Sequence, residues 1–78
     1  MDLPDDLIAL ERAAEEQRAK MAGLDGEEYE GQRRAWRTAA EAVQAAITAH
    51  AEATGLDRYT VEMAVKRAVR HAEEDPAG

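Results

Sequence analysis

Cysteine, serine and phenylalanine are all missing from this 78-residue chain. Without cysteine there is neither a disulfide nor a thiolate metal site, so the redox compartment is undetermined. Without serine or cysteine, the chain lacks the usual nucleophiles of Ser-His-Asp and Cys-His hydrolases. A glycine-rich phosphate-binding loop is absent as well, because Gly23 and Gly26 only flank a short turn between helical segments. These absences predict a protein that is not an enzyme and carries no cofactor.

Large apolar side chains are also scarce, since the chain has one tryptophan and two tyrosines and much of its 45% hydrophobic content is alanine. No apolar run approaches the roughly 20 residues that span a bilayer, so we expect no membrane association. A core of this size contributes only about 3–5 kcal/mol. We therefore expect very regular helix packing or self-association. The lack of a signal-peptide pattern favours the cytoplasm, and the alanine, arginine and glutamate bias is typical of GC-rich bacterial genomes.

The net charge of −7 arises in the first part of the chain. Residues 1–31 hold ten acidic and three basic residues, whereas residues 32–78 hold seven of each sign. An acidic total disfavours non-specific binding of nucleic acid or anionic membranes by the whole surface. It leaves room for a local basic patch and for an acidic surface that docks a basic partner.

Apolar residues recur at intervals of three and four in three segments, which predicts helices over about residues 5–22, 27–54 and 58–74. Gly23 and Gly55 suit the residue after a helix. Asp25 suits the start of the second helix, and Asp57 or Thr60 the start of the third. Residues 75–78 follow the last helix and are expected to be disordered.

Short connections between helices favour antiparallel neighbours. We therefore predict one all-α domain with an up-down-up arrangement of three helices around the long central helix, which could also assemble as a dimer. Tyr29, Trp36, Val43 and Ile47 share one stripe of that helix and are expected to be core. The first helix covers the first two-thirds of the central helix and the third helix covers the last two-thirds. Its half-covered ends are candidate sites for a homodimer or a protein partner.

The antiparallel register also predicts individual neighbours. It places Ala14 opposite Trp36 and Arg70 beside Glu41, with Arg37 near residues 73 and 74. The two histidines, His50 and His71, would each meet at most one carboxylate. A metal site needs three or four convergent ligands, so no metal site is predicted.

Residues 50–64 carry one pattern with a functional implication. Ala51 lies four residues before Gly55, Leu56 follows that glycine, and Val61 lies six residues after it. This pattern resembles the helix-turn-helix of bacterial repressors, whose second helix enters the major groove of DNA. The resemblance implies that the side chains facing the major groove are Arg58, Tyr59, Thr60 and Met63. It implies that the side chains near the phosphates are Lys66, Arg67 and Arg70.

Two functional hypotheses follow from these patterns. The first is a small, non-enzymatic helical module that binds another protein, including a second copy of itself. The alternative is a helix-turn-helix DNA-binding regulator that uses residues 50–70. Neither hypothesis involves a small-molecule ligand. The angle between the second and third helices separates them, because a helix-turn-helix crosses at about 90–120°.

Overall fold

Three helices make up the part of the chain that the structure describes. The computed structural model describes the backbone of residues 2–74 and the side chains of residues 2–71. Helix α1 spans Asp5–Ala19, α2 spans Gly26–Thr54 and α3 spans Arg58–Glu74. Every pair of helices is in contact, which confirms the all-α fold class. The predicted disorder of residues 75–78 concerns positions outside the described range.

None of the helices within residues 2–74 is both long enough and apolar enough to cross a membrane. Helix α1 begins after Pro4, with Asp5 and Asp6 in its first turn, where the helix dipole favours negative charge. It ends three residues earlier than predicted. The N–H groups of Met21 and Ala22 bond carbonyls only three residues back, so the chain tightens before Gly23 turns it at φ +82°.

The two helix starts after α1 differ in how they are capped. The Asp57 carboxylate accepts a hydrogen bond from the Thr60 N–H at 3.1 Å, as a capping aspartate does. Asp25 takes the predicted N-cap position of α2, but its side chain makes no capping hydrogen bond, and only its carbonyl takes part by accepting the Tyr29 N–H at 3.3 Å. The next residue, Gly26, has φ +59°, so the first turn of α2 lacks the regular geometry that a capping side chain needs.

This difference gives a matched pair of substitutions. Asp57→Ala should lower the free energy of unfolding by about 1 kcal/mol, because it removes a side-chain cap. Asp25→Ala should lower it by less than half as much. Urea unfolding followed by Trp36 fluorescence measures both. Equal losses for the two variants would contradict the assignment of Asp57 as the working cap.

The core joins all three helices along one face of each. Val61, Val65 and Val69 form a buried stripe on α3, and Val61 and Val65 belong to one cluster with Val43 and Ile47 of α2 and with Leu7 and Ala14 of α1. The predicted stripe of α2 is therefore confirmed at Val43 and Ile47. Valine side chains are small, so they hold α3 in place by packing closely against their neighbours rather than by burying a large area.

The same stripe is not core toward the beginning of α2. Tyr29 is 37% exposed, and Trp36 is only half-buried. The prediction that Tyr29 is core is wrong, because α1 ends at Ala19 and a turn replaces the helical cover that the register assumed. The first turn of α2 consequently projects as an exposed end.

Helices α1 and α2 meet close to the predicted register. The Gln32 side-chain amide donates to the carbonyl of Gln17 at 2.7 Å and to its side-chain oxygen at 2.8 Å. Ala14 and Trp36 line a common cavity, as the antiparallel register predicts. This pairing leaves the far side of α2 to solvent.

On helix α3, Arg70 departs from its predicted neighbour. Arg70 lines a cleft with Glu15 and Arg18 of α1, and among the described residues it forms no ion pair with Glu41. The expected approach of Arg37 to residues 73 and 74 lies outside the described side chains. Helix α3 packs on α1 as well as on α2, so it is held from two directions. The up-down-up arrangement of the three helices stays a prediction.

Candidate protein-binding surface on the third helix

Helix α3 has a buried side and an exposed side of very different chemistry. Opposite the valine stripe lies a set of five exposed residues that helical periodicity places on one side. We call this set the outer α3 face: Tyr59, Met63, Lys66, Arg67 and Arg70. All five belong to the residues that the sequence singled out for DNA contact, so the structure brings these candidates together.

One end of the outer α3 face is apolar. Tyr59 is 67% exposed and Met63, one helical turn later, is 38% exposed. Leu56, in the turn before α3, is exposed to a similar degree. Aromatic residues, methionine and arginine are enriched in the buried centres of protein interfaces. An exposed tyrosine and methionine beside two arginines therefore have the composition of such a centre.

Arg58 lies elsewhere, against α2. Its guanidinium donates to the Thr48 hydroxyl at 3.0 Å and to the Gln44 side-chain oxygen, and it lies 3.8 Å from a Glu62 carboxylate oxygen. These contacts join the start of α3 to the last turns of α2. The structure thus gives Arg58 a role in holding the helix–helix joint.

Thr60 is exposed but also takes part in the start of α3. Its N–H and its hydroxyl both approach the Asp57 carboxylate, at 3.1 and 3.5 Å. The side chain is therefore oriented toward the helix end rather than along the outer α3 face. Of the seven predicted residues, Arg58 and Thr60 are the two that the structure separates from the others.

Lys66 connects the outer α3 face to α1. Its ammonium lies 3.0 Å from a carboxylate oxygen of Glu11. The Glu11 side chain is only 7% exposed, whereas the Lys66 side chain is 44% exposed. A buried carboxylate needs a partner to offset the loss of water. Lys66 supplies that partner and fixes α3 on α1.

Sequence reasoning missed Glu11, although a signal was present. Glu11 lies four residues after Leu7 and three before Ala14, so it sits within the apolar stripe of α1. A charged residue at a core-facing position predicts a buried partner from another helix. The spacing therefore pointed to an ion pair, even though it did not identify Lys66.

A cleft of about 300 Å³ opens between α1 and α3 beside this ion pair. Glu15, Arg18 and Arg70 line it together with Glu11 and Lys66. Arg18 lies 3.9 Å from Glu15 in an exposed ion pair, which contributes little stability. The cleft is therefore lined by both signs of charge, with two carboxylates and one arginine from α1 and a lysine and an arginine from α3.

The turn between α2 and α3 matches the helix-turn-helix pattern in part. Gly55 is left-handed with φ +74°, and Ala51 and Val61 are buried. Leu56, which follows the glycine, is exposed instead of covering the joint. Within residues 2–71 there is no group of three or more His, Cys, Asp or Glu side chains arranged to hold a metal ion.

Comparison with protein-family models, curated proteins and solved structures gives no significant match to this chain. Functional inference therefore depends on the exposure, contacts and charge of the residues themselves.

Proposed function

We propose that this protein is a non-enzymatic helical module that binds an acidic surface of another protein through the outer α3 face. The observation that carries the proposal is the exposure of Tyr59 and Met63 directly beside Lys66, Arg67 and Arg70. A bacterial origin, favoured by the alanine, arginine and glutamate bias, and a cytoplasmic location belong to the same proposal.

The outer α3 face is held in a single position by the opposite side of the helix. Val61 and Val65 are fully buried, Asp57 caps the first turn, and Lys66 bonds Glu11. Binding costs less conformational entropy when the binding residues already lie on a rigid element. The face is therefore suited to docking without rearrangement.

The charge of the outer α3 face defines the kind of partner. Its positive charge comes from Arg67 and Arg70, which form no ion pair among the described side chains, whereas Lys66 is already paired with Glu11. The whole protein carries −7, so an acidic partner is attracted through a local group of cations such as this one rather than by the protein's total charge. Electrostatic complementarity of this kind selects the partner and its orientation.

Site-specific photo-crosslinking tests the proposal in the cells that encode the protein. We expect a photoreactive residue at position 63 to crosslink to one protein, whereas one at the exposed Ala42 of α2 should not. The crosslinked partner is then purified for binding measurements. Met63→Glu should weaken its affinity at least tenfold, because the acidic partner meets an added carboxylate. Equal crosslinking from positions 63 and 42, or unchanged affinity of Met63→Glu, would contradict the proposal.

DNA binding by residues 50–70 is the second candidate function, favoured by the left-handed Gly55 between the buried Ala51 and Val61. It ranks second because Arg58 and Lys66 are engaged within the protein, which leaves few cations for phosphate contacts. Fluorescence anisotropy of a labelled DNA duplex tests it. Binding that weakens steeply with salt would favour this function, because phosphate contacts release counterions. No binding at low salt would remove it.

A further inference from the structure

A second exposed surface has the opposite charge to the outer α3 face and, like that face, contains a tyrosine. It lies at the start of α2, where every residue from 25 to 30 is exposed. We call it the acidic turn: Asp25, Glu27, Glu28, Tyr29 and Glu30. It holds four carboxylates around one partly exposed tyrosine.

We infer that the acidic surface bound by the outer α3 face is the acidic turn of a second copy of this chain. The inference rests on the proposed function and gives its partner. The four carboxylates then meet Arg67 and Arg70, and Tyr29 meets Tyr59 and Met63. Methionine and aromatic rings attract each other when they pack together, so both the polar and the apolar parts of the two surfaces find counterparts.

Like-with-like pairing of the same surfaces is unfavourable. Two outer α3 faces would bring Arg67 and Arg70 against the same two arginines, and two acidic turns would bring four carboxylates against four, which costs free energy. Among the described residues, the ion pairs within one copy are Arg18–Glu15, Arg58–Glu62 and Lys66–Glu11. None of them joins the acidic turn to α3, so both surfaces face outward for an intermolecular contact.

Two-fold symmetry allows this contact to form twice in one dimer. When two copies are related by a two-fold axis, each can offer its acidic turn to the other copy's outer α3 face, so the same contact forms twice. Association also covers apolar surface that the small valine and alanine core leaves exposed. Chains of this size often gain stability in that way.

Sedimentation equilibrium of the purified chain tests the inference. In about 0.1 M salt, where the Debye length is about 10 Å, we expect the mass to rise with concentration from the monomer value of 8.6 kDa to at least twice that value. In about 1 M salt, where the Debye length falls to about 3 Å, the monomer mass should return. A monomer under all of these conditions would overturn the inference.

Charge reversal then identifies the contacting surfaces. Arg67→Glu/Arg70→Glu should abolish association, and so should Glu28→Arg/Glu30→Arg. Lys66 is left unchanged because it pairs with Glu11. An equimolar mixture of the two variants should associate again, since each offers the surface that the other now complements. Circular dichroism melts verify that each variant folds, and Arg67→Gln/Arg70→Gln, which should also stay monomeric, replaces the first variant if it does not.

A charge-neutral control distinguishes a specific contact from a general charge effect. Arg12→Glu/Glu16→Arg changes two exposed residues of α1 and should associate like the unmodified chain. Association that survives both reversals would overturn the inference, because the copies would then meet elsewhere. If the chain is monomeric but position 63 still crosslinks to a different protein, the inference fails and the proposed function stands. Failure of both experiments removes both.

Discussion

Lys66→Ala should destabilise the fold by about 3 kcal/mol, because it leaves the Glu11 carboxylate buried without its partner. The two charged atoms are 3.0 Å apart, and Glu11 is far more buried than Lys66. The value is placed at the low end for breaking a buried ion pair, since the lysine end of this pair is half-exposed. For a chain of 78 residues, with total stability of roughly 4–12 kcal/mol, such a loss is a large fraction. Urea unfolding followed by circular dichroism measures it.

Removing both charges should have the opposite outcome. Glu11→Leu/Lys66→Met should be as stable as the unmodified protein or more stable, because apolar side chains of similar volume remove the need to compensate a buried carboxylate. Arg67→Ala, one residue along α3, provides the matched control and should change stability by less than about 0.5 kcal/mol. If Lys66→Ala costs no more than Arg67→Ala, Glu11 is not held by Lys66 in solution.

The helices themselves could be predicted because residues at and next to their ends, such as glycines and capping aspartates, determine where a helix begins and ends. A glycine suited to left-handed backbone, Gly55, and a capping aspartate, Asp57, mark the joint between α2 and α3, and the structure places both where they were expected. The end of α1 was harder to locate. Nothing in residues 20–22 opposes a helix, and α1 stops there because the chain tightens into a turn before Gly23.

Contacts between distant segments could be predicted only in part. The register of α1 on α2 follows from a short turn, and Gln17 meets Gln32 accordingly. The position of α3 depends on how valines of different helices interlock, which periodicity does not specify. For that reason Arg70 was expected beside Glu41 but lies beside α1.

The outer α3 face was recoverable from the sequence because it is defined by one helix alone. Once Val61 and Val65 are assigned to the buried side, helical spacing puts Met63 and Arg67 on the other. The contacts of Arg58 with α2 and of Lys66 with Glu11 involve other helices. The DNA-binding hypothesis assumed that both cations were available to contact DNA, whereas in the structure both bind other residues of the protein.

Ile47→Ala should be the most damaging of the single truncations in α2, with a loss of about 3–4 kcal/mol in unfolding free energy. Ile47 is 1% exposed and lies in the cluster that joins all three helices. Removing its side chain leaves a cavity among Val43, Val61 and Val65, whose backbones are fixed in rigid helices and cannot close the space. Circular dichroism in urea follows the loss, which should appear as a lower urea midpoint of unfolding.

Trp36→Ala should cost less, although tryptophan is the largest side chain in the chain and lies on the same stripe. Trp36 is half-buried and lines an open cavity with Ala14 and Ala40, so its truncation removes less buried surface and leaves no enclosed void. We expect about 2 kcal/mol, half of the usual upper value for a fully buried tryptophan or less. A larger loss for Trp36→Ala than for Ile47→Ala would place the centre of the core at the α1–α2 contact rather than where the three helices meet.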